Sequence, residues 1–579
     1  MPVRGIRLVL CFVAALIAVA QIRPVSSQFM QEMNGSMERM DRRMAKASMN
    51  GNVDHDFASM MIPHHQGAID MAESRTDLRK GPSDAPVGSG DPHRSTIRDR
   101  CHAAMARKTC RGQSPRGEVT RMKLCVIAFS LAGAMIATAA GDRVYTADQI
   151  SNTVSVIDPA TNKLLGSIHL GEEIPAALSP LYRGELLVHG LGFSPDHRTL
   201  AVVSIGSNCV TLIDTETNTV KGKIYVGRSP HEAFFRPDGR ELWVAVRGEN
   251  YVSVIDPVRK KELRRIETAN GPGMVLFRPD GKFAFVPSSF TPELDVIETA
   301  TYKVIARVPQ ASPFSPNLAV DQDEVWFTLK DSGKTQVVSA KPPFRTLAVL
   351  ETGPITNHVT LVANAAGRFA YVTVGGRNEV LAYRREPGSS PKLVARIKTG
   401  DLPHGIWGSG DGSRVYAGLE NGDSVQAVDT ATNQVVATIP VGQAPQALVY
   451  VPNAVASDKG TANLRPLGLP APALHLELTP PPGLTSAAHA SVAINSLGPI
   501  DNLQIAATGL EPGKKYRVML AGGAAPQELV TFTAGIGGAA IAQALGPLKR
   551  ALAPPQVEQA MKLEVRLEEK GGALILQQR

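Results

Sequence analysis

The stretch NTVSVIDPATNKLLGSIHLG (152–171) decides the fold. Val154 to Asp158 reads as a short strand rich in β-branched residues, and DPATNK after it is turn chemistry, because Asp and Asn bond local backbone amides. KLLGSIHL then reads as the next strand. The same strand recurs as VTLID ending at Asp214, VSVID at Asp256, LDVIE at Glu298, TQVVS at Ser339, VLAYR at Arg384 and VQAVD at Asp429. The intervals are 56, 42, 42, 41, 45 and 45 residues, so seven copies of one unit are present. A period near 42 residues holds four short strands, the blade of a propeller. The expected architecture is mainly β, with a seven-bladed β-propeller over residues 141–455.

Working outward, the third period shows the blade well: HEAFFRPDG, ELWVAVRGEN, YVSVIDPVRK and ELRRIETANG (231–271) are four strands with their turns. Gly239, Gly281 and Gly412 close tight turns after Pro-Asp or Gly-Asp, where a residue free to take positive φ is needed. At the ends of the array, QALVYVP (446–452) is an inner strand with no blade after it, and RVYTAD (143–148) is a second strand with no inner strand before it. Each completes the other's blade, which removes two open sheet edges.

RVYTADQISNTVSVIDPATNKLLGSIHLG (143–171) and VQAVDTATNQVVATIPVGQAPQALVYVP (425–452) resemble the YVTN (YncE-like) family of exported β-propeller repeats. That resemblance implies a periplasmic or cell-surface protein. It implies no chemistry, since similar propellers serve as surface components, binding proteins and partners of redox enzymes.

In such a ring the start of each inner strand opens on the upper face beside the central channel. Aligning the repeats there gives His189, His231, Gly273, Asn317, His358, His404 and Gln446. Four of the chain's 13 histidines therefore share one repeat position. Imidazoles so placed suit a transition metal, an axially held cofactor or an anion, with Asn317 and Gln446 as neutral donors. The alternative is duplication of a structural residue, because opposite blades can stand too far apart to share an ion. His231 with Glu232 is a poor acid–base pair on strand alternation alone. Blade one carries a longer connection, EEIPAALSPLYRGELLV (172–188), that would lie over the same mouth, and Arg228, Arg247 and Arg377 fall in upper-face loops. There is no G-x-S-x-G, H-E-x-x-H, phosphate-binding loop, C-x-x-C or haem C-x-x-C-H. The first expectation is thus a non-enzymatic binding or scaffolding protein, engaging a protein or small molecule at the upper face. The alternative is a metal- or redox-cofactor-dependent enzyme built on the histidine ring.

The first 140 residues read differently. Residues 1–27 and 122–140 each have a basic start, an apolar run and small residues at the end, the pattern of a signal peptide. Membrane contact would follow only if 124–140 stayed uncleaved. Between them, 28–74 is a short helical segment with Met30, Met33, Met37, Met40 and Met44 on one stripe, followed by Met60, Met61, His64, His65 and Met71. Thioether with imidazole suits copper, and a Met-packed core is the plainer alternative. FASMMIPHHQGAIDMAE (57–73) resembles domain of unknown function 305, an exported helical family associated with copper. Residues 75–121 read as a disordered basic junction, eleven Lys or Arg against five acids, consistent with a frameshifted tail joining two reading frames. The formal charge of +8 is concentrated there, so the remainder carries no electrostatic footprint for nucleic acid. Five cysteines, two of them inside apolar segments, imply no disulfide framework. After a linker at 456–473, alternating runs over 474–579 suggest a small β-sandwich-like domain of binding or spacing role. Within it, GLEPGKKYRVMLAG (509–522) resembles the extracytoplasmic sandwich of K-type anti-sigma factors.

Overall fold

A computed structural model describes residues 141–172, 182, 184–456, 460–467, 473–497, 500–523, 525–552, 561–569 and 572–579, together with Gly35 and Arg42. The signal-like segments, the junction, the segment bearing Met60, Met61, His64, His65 and Met71, and 173–181 of the long connection lie outside these residues.

Seven four-stranded antiparallel sheets form the ring. In blade 2 the strands run Val188–Phe193, Thr199–Ser204, Cys209–Asp214 and Thr219–Tyr225, from channel to rim. Blades pack face to face, so the second and third strands are buried on both sides, whereas the outermost strands alternate with solvent. This is why VSVID and VTLID carry apolar residues on both faces, with only a small hydroxyl residue and the turn Asp between and after them. The third strand bonds the outermost through a bulge in all seven blades, which adds right-handed twist at the rim. Asn162, Asn218 and Asn433 take φ of 51–56° in the turn before it, while Asp158, Asp214 and Asp429 accept the turn's amides.

Blade 1 is built from both ends of the array: Arg143–Asp148 pairs with Pro445–Val451, Val144 opposite Tyr450. Asp142 accepts hydrogen bonds from the Tyr450 hydroxyl and, at 2.7 Å, from the Asn453 amide.

The C-terminal domain is one eight-stranded sheet curled about a single core of Leu478, Val492, Ile505, Val518, Val565 and Leu576. Its terminal strands in sheet order, Gln527–Thr533 and Ala540–Gly546, lie side by side. The connection to it is a strap. Residues 460–467 dock on the propeller, where Asn218 Nδ2 donates to Gly460 O (2.6 Å) and Arg465 exchanges two backbone hydrogen bonds with Ser167 on the outermost strand of blade 1. Gly166, at φ 147°, is needed for that approach, since a Cβ there would stand 2.8 Å from Arg465 O.

The domain delivered by the strap sits on the upper face. Gln504 Nε2 donates to Glu420 Oε1 (2.7 Å) and Asn421 Oδ1 (3.0 Å), Asn421 Nδ2 donates to Ser491 Oγ (3.1 Å), and Thr508 Oγ1 to Gly376 O (3.3 Å). Ala506 packs on Ile355 and Leu402, and the Gly537 amide reaches Asp331 O. The upper loops of blades 5, 6 and 7 are therefore under this domain.

Candidate metal centre at the channel mouth

Strand alternation would send His231 and Glu232 to opposite faces, and the structure overturns that expectation. In blade 3 Pro230 opposes Val246 and Glu232 opposes Ala245, so His231 is an extra residue in a β-bulge. Bulges occur at the same level in blade 2 between Val188 and Leu191, in blade 6 between Thr356 and Val359, and in blade 7 between Pro403 and Ile406. Every ring histidine lies in one of them. A bulge re-aims a side chain without ending the strand, and here it turns four imidazoles toward one another. Gly190 and Gly405, each following a histidine, let the next blade's backbone come close: a Cβ would meet His231 O at 2.2 Å and Gln446 O at 2.7 Å.

The rings form two close pairs. His189 and His231 have centroids 4.3 Å apart, His358 and His404 4.6 Å, and His189 and His404 6.3 Å. The two pairs come from adjacent blades, 2 with 3 and 6 with 7, and among the described residues the metal-sized donor group is His189, His231 and Glu232. His231 Nδ1–H donates to Gly273 O and His404 Nδ1–H to Gln446 O, both at 2.6 Å. A carbonyl only accepts, so Nδ1 carries the proton and Nε2 the lone pair in each neutral ring. Among the described residues Nδ1 of His189 and Nε2 of His358 have no hydrogen-bond partner. Burial, reinforced by nearby cations and neighbouring rings, holds all four well below the usual histidine range, so they are neutral at pH 7.

His189, His231 and Glu232 offer donor atoms that all lie within 4.8 Å of one another. Donors 2.0–2.1 Å from one tetrahedral ion stand about 3.4 Å apart, so modest closure completes a site. Burial pushes the Glu232 carboxyl up to about 8. Backbone carbonyls behind His231 and His404 are the usual outer support of a metal-binding imidazole.

The other ring positions serve differently. Gly273 and Gln446 supply the carbonyls just named. Asn317 is committed on both ends: Nδ2 donates to Met274 Sδ (3.2 Å), and Oδ1 accepts the Val359 amide (2.9 Å). Thr373, opposite the blade 6 bulge, accepts the His358 amide (2.9 Å) and donates to His404 O (2.7 Å). Below the ring a cavity of about 170 Å³ runs down the channel past Phe234, Leu276, Leu361 and Ile406, with Glu232, Asn317 and His358 at its top. The Phe234 and Trp407 rings stack near its lower end, 6.2 Å apart.

Of the upper-face arginines, Arg228 donates to Gly248 O (2.6 Å) and Arg377 lies 3.8 Å from Glu379, both away from the ring. Arg247 belongs to the mouth, together with Lys330 and Glu420, which repeat alignment at the inner strand does not reach. The three occupy one column, the residue after the second strand of blades 3, 5 and 7. Aligning that column would have exposed them. The described part of the long connection is tied at its base, where Tyr182 Oη accepts the Glu172 amide (2.8 Å) and Glu185 accepts from Cys209 Sγ (2.7 Å).

Residues 192–455 match the family model described as YNCE-like beta-propeller, and residues 19–83 match that of Domain of unknown function (DUF305). No curated protein matches the chain. Among solved structures, the chain is similar to Kuenenia stuttgartiensis hydrazine synthase (20% identity, 48% of this chain and 94% of that one, TM-score 0.42). It is also similar to a functionally unknown protein from Desulfotomaculum acetoxidans DSM 771 (11%, 53% and 98%, TM-score 0.46). A third is the periplasmic gluconolactonase PpgL of Pseudomonas aeruginosa (20%, 54% and 99%, TM-score 0.44).

Proposed function

We propose that this protein is an exported metal-binding propeller that holds one transition-metal ion among His189, His231, His358 and His404. The observation that carries the reading is that the donor atoms of His189, His231 and Glu232 lie within 4.8 Å of one another, with the second close pair, His358 and His404, beside them and two of the four rings fixed by carbonyls behind them. Buried imidazole nitrogens left without partners are costly, and ligation satisfies them. An all-nitrogen donor set favours copper(II) over the other divalent first-row ions, with zinc next in practical abundance. Glu232 can join as an oxygen ligand. This reading replaces an open scaffolding platform as the first choice, because the C-terminal domain already occupies the upper loops of blades 5–7.

Metal analysis of the full chain, stripped with chelator and titrated with Cu(II) and Zn(II), tests it. One equivalent bound by wild type and lost in His231→Ala and His404→Ala is expected. A folded protein that takes up no metal would exclude the reading. Export through residues 1–27 or 122–140 is part of the proposal, and N-terminal mapping of the mature product tests it. Peptides from both 28–74 and 141–455 in one mature chain would remove the idea of two separate products. The Met60, Met61, His64, His65 and Met71 set is proposed as a separate Cu(I) site, open to direct Cu(I) titration.

A further inference from the structure

We propose that the upper tier of the channel is an anion site, in which Arg247 and Lys330 hold one small oxyanion, carboxylates included, directly over the histidine ring. The tier stands on its own residues and does not require the metal, although an anion held there would be placed to meet one.

The two cations sit where cations are hard to keep. Arg247 has no hydrogen-bond or carboxylate partner among the described residues; its guanidinium lies over Phe314 (5.0 Å) and Phe290 (6.0 Å) instead. Lys330 follows the second strand of blade 5, and its amide donates to Phe314 O (3.0 Å), so one aromatic residue joins both positions. The Lys330 ammonium has no hydrogen bond or ion pair among the described residues. Both side chains are enclosed enough for burial to lower Arg247 to about 10 and Lys330 to about 8, yet both residues keep accessible surface.

Their position follows from strand register: Val246 opposes Pro230, and the Thr328 amide donates to Asn317 O (3.1 Å), so Arg247 and Lys330 each stand just above the ring position of blades 3 and 5. Among the described residues the carboxylate that acts on Lys330 is Glu420, which accepts from Gln504 of the C-terminal domain through Oε1 while its Oε2 has no hydrogen-bond partner. Against that single acid stand two cations, which leaves one positive charge uncompensated in a desolvated place. A guanidinium fork matches two oxygens of one anion, and the ammonium beside it adds a point charge. Because the C-terminal domain covers the neighbouring loops, the anion must be small. The competing account is that Arg247 is held only by its aromatic stack.

The test uses the full chain freed of metal, titrated with formate and with sulfate at constant ionic strength, read by calorimetry and by thermal midpoint. Wild type is expected to bind one equivalent and to be stabilised, and the preferred probe tells carboxylate from inorganic oxyanion. Arg247→Met, which keeps an apolar contact with Phe314, and Lys330→Met should each weaken binding at least tenfold. In anion-free buffer both variants should melt at or above the wild-type temperature, since an uncompensated charge has been removed, and should lose the anion-induced rise. No saturable binding, binding untouched by either variant, or the same response to chloride would overturn the proposal. If Arg247→Met does not fold, Lys330→Met and the wild-type titration decide. Repeating the titration with Cu(II) separates the two readings. Anion uptake without metal uptake defeats the metal centre alone, and metal uptake without anion uptake defeats this site alone.

Discussion

Blades 2, 3, 6 and 7 put a histidine into the bulge of the inner strand; blades 1, 4 and 5 do not, and their inner strands do other work. Blade 4 has only Leu276–Phe277 and blade 5 only Leu318–Val320 in the ladder. Gly273 offers a carbonyl, Asn317 latches two neighbours, and Gln446 offers a carbonyl from a bulge of its own. The difference teaches that the mouth divides its labour. One set of blades presents ring nitrogens, and blades 4 and 1 orient two of the rings, His231 and His404, by accepting the proton on the far side.

The largest expected effect lies in blade 1, at the residue that bounds its bulge. Asp148 is fully buried and accepts from Thr146, Thr153 and Ser155, yet burial outweighs those hydroxyls and pushes its carboxyl up to about 7. A raised folded-state value means that the folded chain binds the proton more tightly. That stabilisation is full below about pH 4 and is lost as pH rises through about 7, worth at most about 4 kcal/mol. Asp148→Asn should flatten the fall in stability between pH 4 and 8 measured by urea unfolding. An unchanged slope would show that other groups cause it.

Next comes an attempt to make blade 4 resemble the histidine blades. A Cβ on Gly273 would stand 2.3 Å from Ser315 O, so Gly273→Ala should cost about 3 kcal/mol of stability. Free tolerance of alanine would mean that the division of labour is not enforced by packing. His231→Ala or His404→Ala should lower Cu(II) affinity about 100-fold, equivalent to about 2.7 kcal/mol. The smallest effect is Asn317→Ala, which loses its bonds to Met274 and the Val359 amide. About 1–2 kcal/mol of stability should go while metal stoichiometry stays unchanged. Loss of metal in that variant would move Asn317 into the ligating set.

Blade number, ring closure and the histidine column were legible in the sequence because all three depend on period and turn residues, which repeat. Convergence of the column was not. It depends on one extra residue per inner strand, and a bulge leaves no trace in the apolar pattern beyond a histidine followed by glycine in blades 2 and 7. Docking of the C-terminal domain was equally hidden, since Gln504 and Ser491 look like the polar residues of any alternating strand. Two strands of that domain, Ala540–Gly546 and Leu574–Gln578, carry little strand signal in the sequence, the first for its alanine content and the second for its length. The turns before the outermost strands were legible by their Asp and Asn, but not the residue that adopts positive φ, which is Asn162, Asn218 and Asn433 in three blades and Lys260 and Tyr302 in two others.

The pairing of Arg143–Asp148 with Pro445–Val451 also has a consequence in time. Each of the other six blades is assembled from about 40 consecutive residues and can form as soon as they are available. Blade 1 joins strands at opposite ends of the array, a contact of high sequence separation that slows folding. Until it forms, the strand beginning at Arg143 presents an unpaired edge. The ring is therefore clasped last, and the early strand must be kept from foreign partners until the late one arrives.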